Sequence, residues 1–161
     1  GQRQVARPPG SRAVTFLQTR YIIDTNVLNK IDENERASQF FKTRCSLPDA
    51  VLDEASGFPD IDELRQLRYL TTASLLQLLM EVMATIEVKD KRVVNLWKNK
   101  GAADPVLTAV ALHAREQEKD RILEIKWVVV TDDRAVRNLA EKHEVEVLSG
   151  DQFREILRRQ M

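Results

Sequence analysis

Three short apolar runs, separated by patterns typical of helices, restrict how this chain can fold more than any other feature. The runs are FLQTRYIID, which ends at Asp24, KWVVVTDD, which ends at Asp132 and Asp133, and the shorter EVEVLS. Runs rich in Val and Ile indicate strands that are buried on both faces. Because strands that alternate with helices require crossover connections, we predict an α/β fold: a three-layer α/β/α sandwich with a central parallel sheet.

The composition is that of a single domain with a core of ordinary size. The chain has 161 residues, of which 43% are hydrophobic, and its 25 basic residues balance 25 acidic ones. Net charge therefore indicates no partner. The opening stretch GQRQVARPPGSRAVT lacks hydrophobic periodicity. We predict that residues 1–15 form a flexible N-terminal arm or an expression remnant, and that residues 16–161 form one domain.

Cysteine usage and hydropathy indicate the compartment. Cys45 is the single cysteine, so the chain has no internal disulfide, and no apolar run is long enough for a membrane span. We expect a soluble intracellular protein in the cytoplasm.

Aspartates follow two of the predicted strands at the point where each strand ends. Asp24 is followed by Thr25 and Asn26, and Asp132 and Asp133 follow WVVVT. In parallel sheets, ligands bind outside the carboxyl ends of the strands. Each of these aspartates is also well suited to cap a helix, so the pattern leaves a capping role and a binding role open.

Asp104, Glu54 and Glu81 are further candidate acids. Asp104 precedes a proline in GAADPVLTAVALHA, which marks a helix start, and a helix N-terminus keeps a carboxylate ionised. Glu54, in LPDAVLDEASGF, is predicted either close to the apolar face of a short helix or at a solvated position. Glu81 competes with Glu54 for the same role, but it shares a polar helical stripe with Ser74 and Gln77, which predicts that it faces solvent.

Several carboxylates at one edge of a sheet would repel one another unless a cation were present. Cys45, His113 and His143 are scattered and lack the spacing of a zinc site. Oxygen ligands suit Mg²⁺ or Mn²⁺, and carboxylate-bound Mg²⁺ or Mn²⁺ supports phosphodiester hydrolysis. The signatures GxxxxGK[ST] and GxGxxG are both missing, which disfavours a nucleotide switch or a dehydrogenase.

Four blocks in order, YIIDTNVL, LPDAVLDEA, GAADPVLTAVAL and WVVVTDDRAV, resemble the PIN-domain ribonucleases, a family of toxin endonucleases and RNA-processing nucleases. The resemblance implies that Asp24, Asp104 and Asp133 bind Mg²⁺ or Mn²⁺ and that Glu54 completes the catalytic set. It also implies cleavage of single-stranded RNA.

The resemblance assigns auxiliary roles as well. Asn26 and Thr131 resemble the polar residues that orient the acids and the metal-bound water in this family, and Asp132 fills a variable position from which it could assist. Family members suggest an antitoxin or another protein as a partner, and many form homodimers.

An RNA substrate would require cations near the acids to hold its backbone. The basic residues closest to the acidic blocks in the sequence are Lys98, Lys100, Arg134 and Arg137. Each is also consistent with an ordinary solvated position on a helix.

Two other functions remain open at this point. One is a catalytically silent PIN-like module that binds RNA or a protein. The other is a phosphatase of the haloacid-dehalogenase type, which requires an acid two residues after the first, where this chain has Asn26.

Overall fold

The fold is described from a computed structural model that covers residues 17–86 and 104–161. The predicted arm at residues 1–15 lies outside these ranges, and so do Lys98 and Lys100. Their predicted properties remain predictions.

A five-stranded sheet forms the centre of the described structure, and all its pairings are parallel. Its spatial order is β3-β2-β1-β4-β5, with β1 at Leu17–Ile23, β2 at Cys45–Pro48, β3 at Arg68–Tyr69, β4 at Glu124–Val130 and β5 at Glu146–Leu148. The predicted α/β class with a parallel sheet is confirmed. The strands β2 and β3 were not predicted, because four and two residues are too short to form a distinct pattern.

Helices connect the strands. They are α1 (Thr25–Leu28), α2 (Glu33–Arg36), α3 (Gln39–Arg44), α4 (Asp49–Glu54), α5 (Ile61–Arg65), α6 (Ala73–Ala84), α7 (Val106–Glu118), α8 (Arg134–Lys142) and α9 (Gly150–Gln160). The helices α2 and α3 are separate because the Ser38 hydroxyl accepts from Phe41 N and starts α3. None of the described helices is long and apolar enough to cross a membrane.

Alternating side chains of the central strands face two separate hydrophobic cores. Tyr21 and Ile23 pack into a core with residues of α1, α3, α4, α5 and α9. Ile22 and Val129 pack into the opposite core with α6, α7 and α8. Because successive residues of a strand point to opposite faces, burial of both faces produces the three layers.

The strand order reverses between β1 and β4. The chain runs outward from β1 through β2 to β3 on one side and from β4 to β5 on the other. The two central strands remain joined beyond their ends, since the amide of Asp24 donates to the carbonyl of Val130 over 2.9 Å. Ligands bind where the strand order of an open parallel sheet reverses, so this edge is the place where the fold favours a site.

The carboxylate of Glu35 fastens the C-terminal helix α9 to α2. Glu35 is 4% exposed, and its oxygens accept from Arg154 Nε at 3.0 and 3.1 Å and from Arg158 Nε at 3.2 Å. Burial raises the pKa of Glu35, but hydrogen bonds from Arg154, from the Asp32 amide and from Arg158 outweigh that effect and bring its pKa to about 2. The anchored helix contributes Phe153 and Leu157 to the first core.

Glu35→Gln is expected to lower the free energy of unfolding by about 2 kcal/mol at pH 7, because it removes charge-assisted hydrogen bonds from a buried group. A folded pKa below the ordinary value of 4.5 means that this contribution is complete above pH 4.5 and is lost as pH falls towards about 2. Urea unfolding of both proteins across this pH range measures the difference. The control is Glu33→Gln in the same helix, where Glu33 is exposed and the expected change is below ~0.5 kcal/mol. A difference between wild type and Glu35→Gln that stays constant down to pH 2 would contradict the anchoring role.

Candidate functional site

Asp24 lies directly after β1 and is held by both of its carboxylate oxygens. Oδ1 accepts from the backbone amide of Thr25 at 2.8 Å, so Asp24 caps α1. Oδ2 accepts from the Thr131 hydroxyl at 2.6 Å and from the Asn26 side-chain amide at 3.3 Å. Thr131 is fully buried at the end of β4, and its hydroxyl oxygen also accepts from the amide of Asp133 at 3.1 Å. One threonine thus joins the two acids that follow the central strands.

Asp24 also lies within electrostatic reach of two other predicted ligands. Burial is the largest cause that raises its pKa, and the charges of Asp104 and Asp133 raise it further. Hydrogen bonds from Thr131 and Thr25 oppose this shift without cancelling it. The structure therefore places Asp104 and Asp133, which come from distant parts of the chain, within electrostatic reach of Asp24 at the edge where the strand order reverses.

Asp104 and Asp133 each use one oxygen as a helix cap. Asp133 Oδ1 accepts from the amides of Ala135 and Val136 at 2.8 and 3.3 Å, and Asp104 Oδ1 accepts from Val106 N at 2.9 Å. Within residues 17–86 and 104–161, the Oδ2 atoms of both aspartates accept no hydrogen bond. The capping role and the binding role that the sequence left open are therefore compatible, because each carboxylate has a second oxygen to offer.

Glu54 is the last residue of α4, and its side chain is exposed. Of the two positions that the sequence left open, this is the solvated one. Its pKa is raised, first by partial desolvation of the carboxyl group and then by the charges of Asp24 and Asp104. The Thr25 hydroxyl opposes this shift by favouring the ionised carboxylate. The hydroxyl oxygen of Thr25 is buried and has no hydrogen bond of normal geometry in the described structure. It therefore lies close to Glu54 without a complete hydrogen bond. Glu81 lies exposed on α6, as its polar stripe predicts.

Asp132 is engaged in a different set of contacts from its neighbour Asp133. Its Oδ2 accepts from Lys30 Nζ at 2.7 Å, and its Oδ1 accepts from the amide of Gly150 at 2.8 Å. Its own amide donates to Asn26 Oδ1 at 3.3 Å. Burial raises the pKa of Asp132, but the contacts from Lys30 and Gly150 outweigh it, so the net pKa is lowered. Asp132 therefore connects α9 and Lys30 to the acidic site, and neither contact has a local signal in the sequence.

Two of the predicted RNA-binding cations lie beside this site. Arg134 is exposed at the start of α8, and Arg137 is half-buried one turn later. The charge of Arg137 contributes to the lowered pKa of Asp132. In the part of the chain that the structure describes, neither arginine forms an ion pair, so both guanidinium groups are available.

The donor chemistry of the site fits a hard divalent cation. Asp24, Asp104 and Asp133 offer carboxylate oxygens, and a cation between them would relieve the repulsion that raises the pKa of Asp24. Among the described residues, no group of three or more His, Cys, Asp or Glu side chains is already arranged to hold a metal ion. The three aspartates therefore fit such an ion in type and charge, and binding would have to draw their carboxylates together.

Comparison with known proteins assigns the architecture to a family. The family profile described as PIN domain matches residues 21–151, a range that includes Asp24, Glu54, Asp104 and Asp133. No curated protein matches the chain.

The pKa of Asp24 is expected to lie above its ordinary value of 3.8, and Asp104→Asn is expected to lower it, because the substitution removes one of the charges that disfavour ionisation. Titration of the side-chain carboxyl carbons by NMR, in metal-free buffer, measures both values. Asp120→Asn is the control, since Asp120 lies just beyond the opposite end of α7. If Asp104→Asn left the titration of Asp24 unchanged, the two carboxylates would not share a site.

Gly150→Ala is expected to destabilise the fold by about 1 kcal/mol or more, because an added Cβ would lie 2.8 Å from Asp132 Oδ2 and 3.3 Å from Val27 Cγ2. Asp132 cannot move freely away, since Lys30 and the Gly150 amide hold it. A double-mutant cycle with Asp132→Ala, followed by urea unfolding, separates the two contacts. The cost of Gly150→Ala should be smaller in the Asp132→Ala background, and an equal cost in both backgrounds would exclude the contact as its cause.

Proposed function

The chain belongs to the PIN-domain family, a family of nuclease-type domains, and we propose that it is a metal-dependent endoribonuclease that hydrolyses phosphodiester bonds of single-stranded RNA. The observation that carries this proposal is a shared contact at the sheet edge: the Thr131 hydroxyl donates to Asp24 Oδ2 at 2.6 Å and accepts from the amide of Asp133 at 3.1 Å. Burial raises the pKa of Asp24, and the charges of Asp104 and Asp133 raise it further. Crowded carboxylates are costly for a fold, and they are typical of sites where a cation or a proton is handled.

In this proposal, Asp24, Asp104 and Asp133 hold Mg²⁺ or Mn²⁺. A cation held by these residues would supply a metal-bound water of lowered pKa and positive charge for the scissile phosphate. Oδ2 of Asp104 and Oδ2 of Asp133 are suited to this role, since the helix amides occupy only Oδ1 of each residue. In each of these two residues, the hydrogen bond from a helix amide to Oδ1 fixes the orientation of the carboxylate, so that Oδ2 is the oxygen that would bind the cation.

The remaining polar residues position the ligands and handle the proton. Thr131 and Asn26 fix the orientation of Asp24, because both donate to its Oδ2. Glu54 accepts the proton of the attacking water, a role that its raised pKa favours because the protonated form is then easier to reach. Thr25, whose hydroxyl lies near Glu54, orients that carboxylate.

Cations next to the acids would hold the RNA backbone. Arg134 and Arg137 are the described candidates that the sequence indicated, and Lys30 is an additional one, since its ammonium group is exposed and lies 2.7 Å from Asp132. Binding through such cations depends on salt, because it releases counterions from the phosphates. The roles of Lys98 and Lys100 remain predictions from the sequence, as do an antitoxin or another protein partner and a homodimer.

Purified protein with Mg²⁺ or Mn²⁺ is expected to cleave single-stranded RNA internally. Asp24→Asn, Asp104→Asn and Asp133→Asn are each expected to slow cleavage more than ~100-fold, because even residues that only orient metal ligands typically contribute about 10- to 100-fold. Glu54→Gln is expected to slow it about 100-fold through loss of the base. A gel assay on a labelled oligoribonucleotide measures all four rates.

Asp53→Asn is the matched control, since Asp53 is the exposed neighbour of Glu54 on α4 and should retain full activity. Each variant is checked by circular dichroism for folding. If the wild type cuts nothing, or if Asp24→Asn and Asp104→Asn both cut at the wild-type rate, the nuclease proposal fails. RNA binding without cleavage by the wild type would instead support a catalytically silent binding module.

A further inference from the structure

An apolar cavity lies between the start of α4 and the helices α6 and α7, with a volume of about 100 Å³. Ala50 of α4, Leu75 and Leu79 of α6, and Val106 and Ala109 of α7 contribute to its walls. None of the roles proposed above involves this cavity.

Two of the cavity walls also carry acids of the site. Ala50 and Glu54 are four residues apart on α4, so they lie on the same face of that helix, one turn from each other. On the neighbouring wall, the amide of Val106 donates to Asp104 Oδ1 at 2.9 Å. The cavity therefore begins about one helical turn from the acids. That separation is comparable to the one that a ribose imposes between a phosphate and its base.

Hydrogen bonds fix the elements that form the cavity. The imidazole of His113 on α7 joins the hydroxyl of Tyr69 through Nδ1 at 2.7 Å and the hydroxyl of Ser74 through Nε2 at 2.8 Å. This bridge connects α7 to β3 and to the first turn of α6. The positions of α6 and α7 are thus set by the fold before any ligand arrives, which favours binding because little ordering cost remains.

The size and the rim of the cavity restrict what it can hold. A closed cavity of roughly 150 Å³ holds benzene, so this cavity of about 100 Å³, which is open on one side, takes one six-membered ring only part of the way in and is too small for a fused purine. Asp49 and Thr71 lie at its rim. Asp49 accepts from Arg68 Nε and Nη2 at 2.5 and 3.2 Å and from Thr71 Oγ1 at 2.6 Å. A carboxylate offers about four acceptor positions, so one remains for a donor on the ligand.

We propose that this cavity binds a pyrimidine base of the RNA strand whose phosphodiester lies at the acidic site, an inference that rests on the proposed nuclease function. The apolar walls contact the ring, and Asp49 accepts a hydrogen bond from N3–H of uracil or from the amino group of cytosine. Because the base enters one turn from the acids, cleavage is selective for a pyrimidine at one fixed position relative to the scissile bond.

Cleavage of a single-stranded RNA pool with random sequence tests this selectivity without assuming which position is read. Sequencing of the product ends from the wild-type reaction is expected to give at least a fivefold enrichment of uridine and cytidine at one position. Ala50→Leu fills the cavity from a half-buried position and is expected to abolish this enrichment. Ala84→Leu is the matched control at an exposed position at the end of α6, and it should retain the enrichment. Products without pyrimidine enrichment at any position, or enrichment that Ala50→Leu retains, would overturn the proposal.

A binding measurement separates this proposal from the nuclease function. Uridine 5′-monophosphate is titrated into the whole protein, and the amide signals of Ala50, Val106 and Ala109 are followed by NMR. Saturable shifts are expected when this nucleotide binds the wild type. Adenosine 5′-monophosphate should bind the wild type at least fivefold more weakly, and uridine 5′-monophosphate should bind Ala50→Leu at least fivefold more weakly. Equal binding of both nucleotides, or no binding at millimolar concentration, would refute the base site even if the protein cleaves RNA. Selective binding by a protein that cleaves nothing would retain the base site and reject the nuclease.

Discussion

Repulsion between carboxylates at the carboxyl ends of β1 and β4 is the constraint on which the rest of the site depends. Burial and two neighbouring negative charges disfavour the ionised form of Asp24. The fold offsets this cost with directed donors: the Thr131 hydroxyl, the amide of Thr25 and the first amides of helices. Hydrogen bonds to charged groups contribute about 1.5–3 kcal/mol each, and a helix N-terminus adds about 0.3–1 kcal/mol. These contributions are large enough to keep the acids close together without removing their mutual repulsion, and a divalent cation would relieve that repulsion further.

The parallel topology explains why the acids, the helix caps and the apolar cavity lie at one edge. Every strand in the described sheet ends at the same side, and each crossover begins there with a helix or a turn. An acid of the proposed site therefore lies about one turn from a wall of the cavity in two places: Glu54 and Ala50 on α4, and Asp104, which precedes α7, and Val106. A phosphate and its base have a similar spatial relationship in a nucleotide, which is why we propose that one nucleotide engages both features.

The sequence predicted those parts of the molecule that depend on local patterns. The central strands and the positions of Asp24, Asp104 and Asp133 follow from apolar runs that end in acids and from a helix start before a proline. The sequence could not decide between capping and binding at these aspartates, because it does not show that the helix amides use only Oδ1 of Asp104 and of Asp133 and so leave a second oxygen in each.

Contacts between residues that are far apart in the sequence have no local sequence pattern from which they could be predicted. The ion pair of Lys30 with Asp132 joins residues 102 positions apart, and Gly150 at the start of α9 is required by the space that Asp132 occupies. The cavity could not be predicted from the sequence either, because the residues that line it do not differ from those of an ordinary apolar helix face. Its shape arises from how α4, α6 and α7 pack, and the Tyr69–His113–Ser74 bridge, which joins β3, α7 and α6, involves three separate elements.

The central claim is that Asp24, Asp104 and Asp133 together hold a divalent cation. A crystal of the wild-type protein soaked in Mn²⁺, with anomalous scattering used to locate the metal, tests this claim directly. The expected result is a Mn²⁺ peak in contact with the carboxylates of Asp24 and Asp104, which is lost in crystals of Asp24→Asn. A Mn²⁺ peak elsewhere on the protein, with none between these carboxylates at saturating metal, would contradict the account even if the protein cleaved RNA.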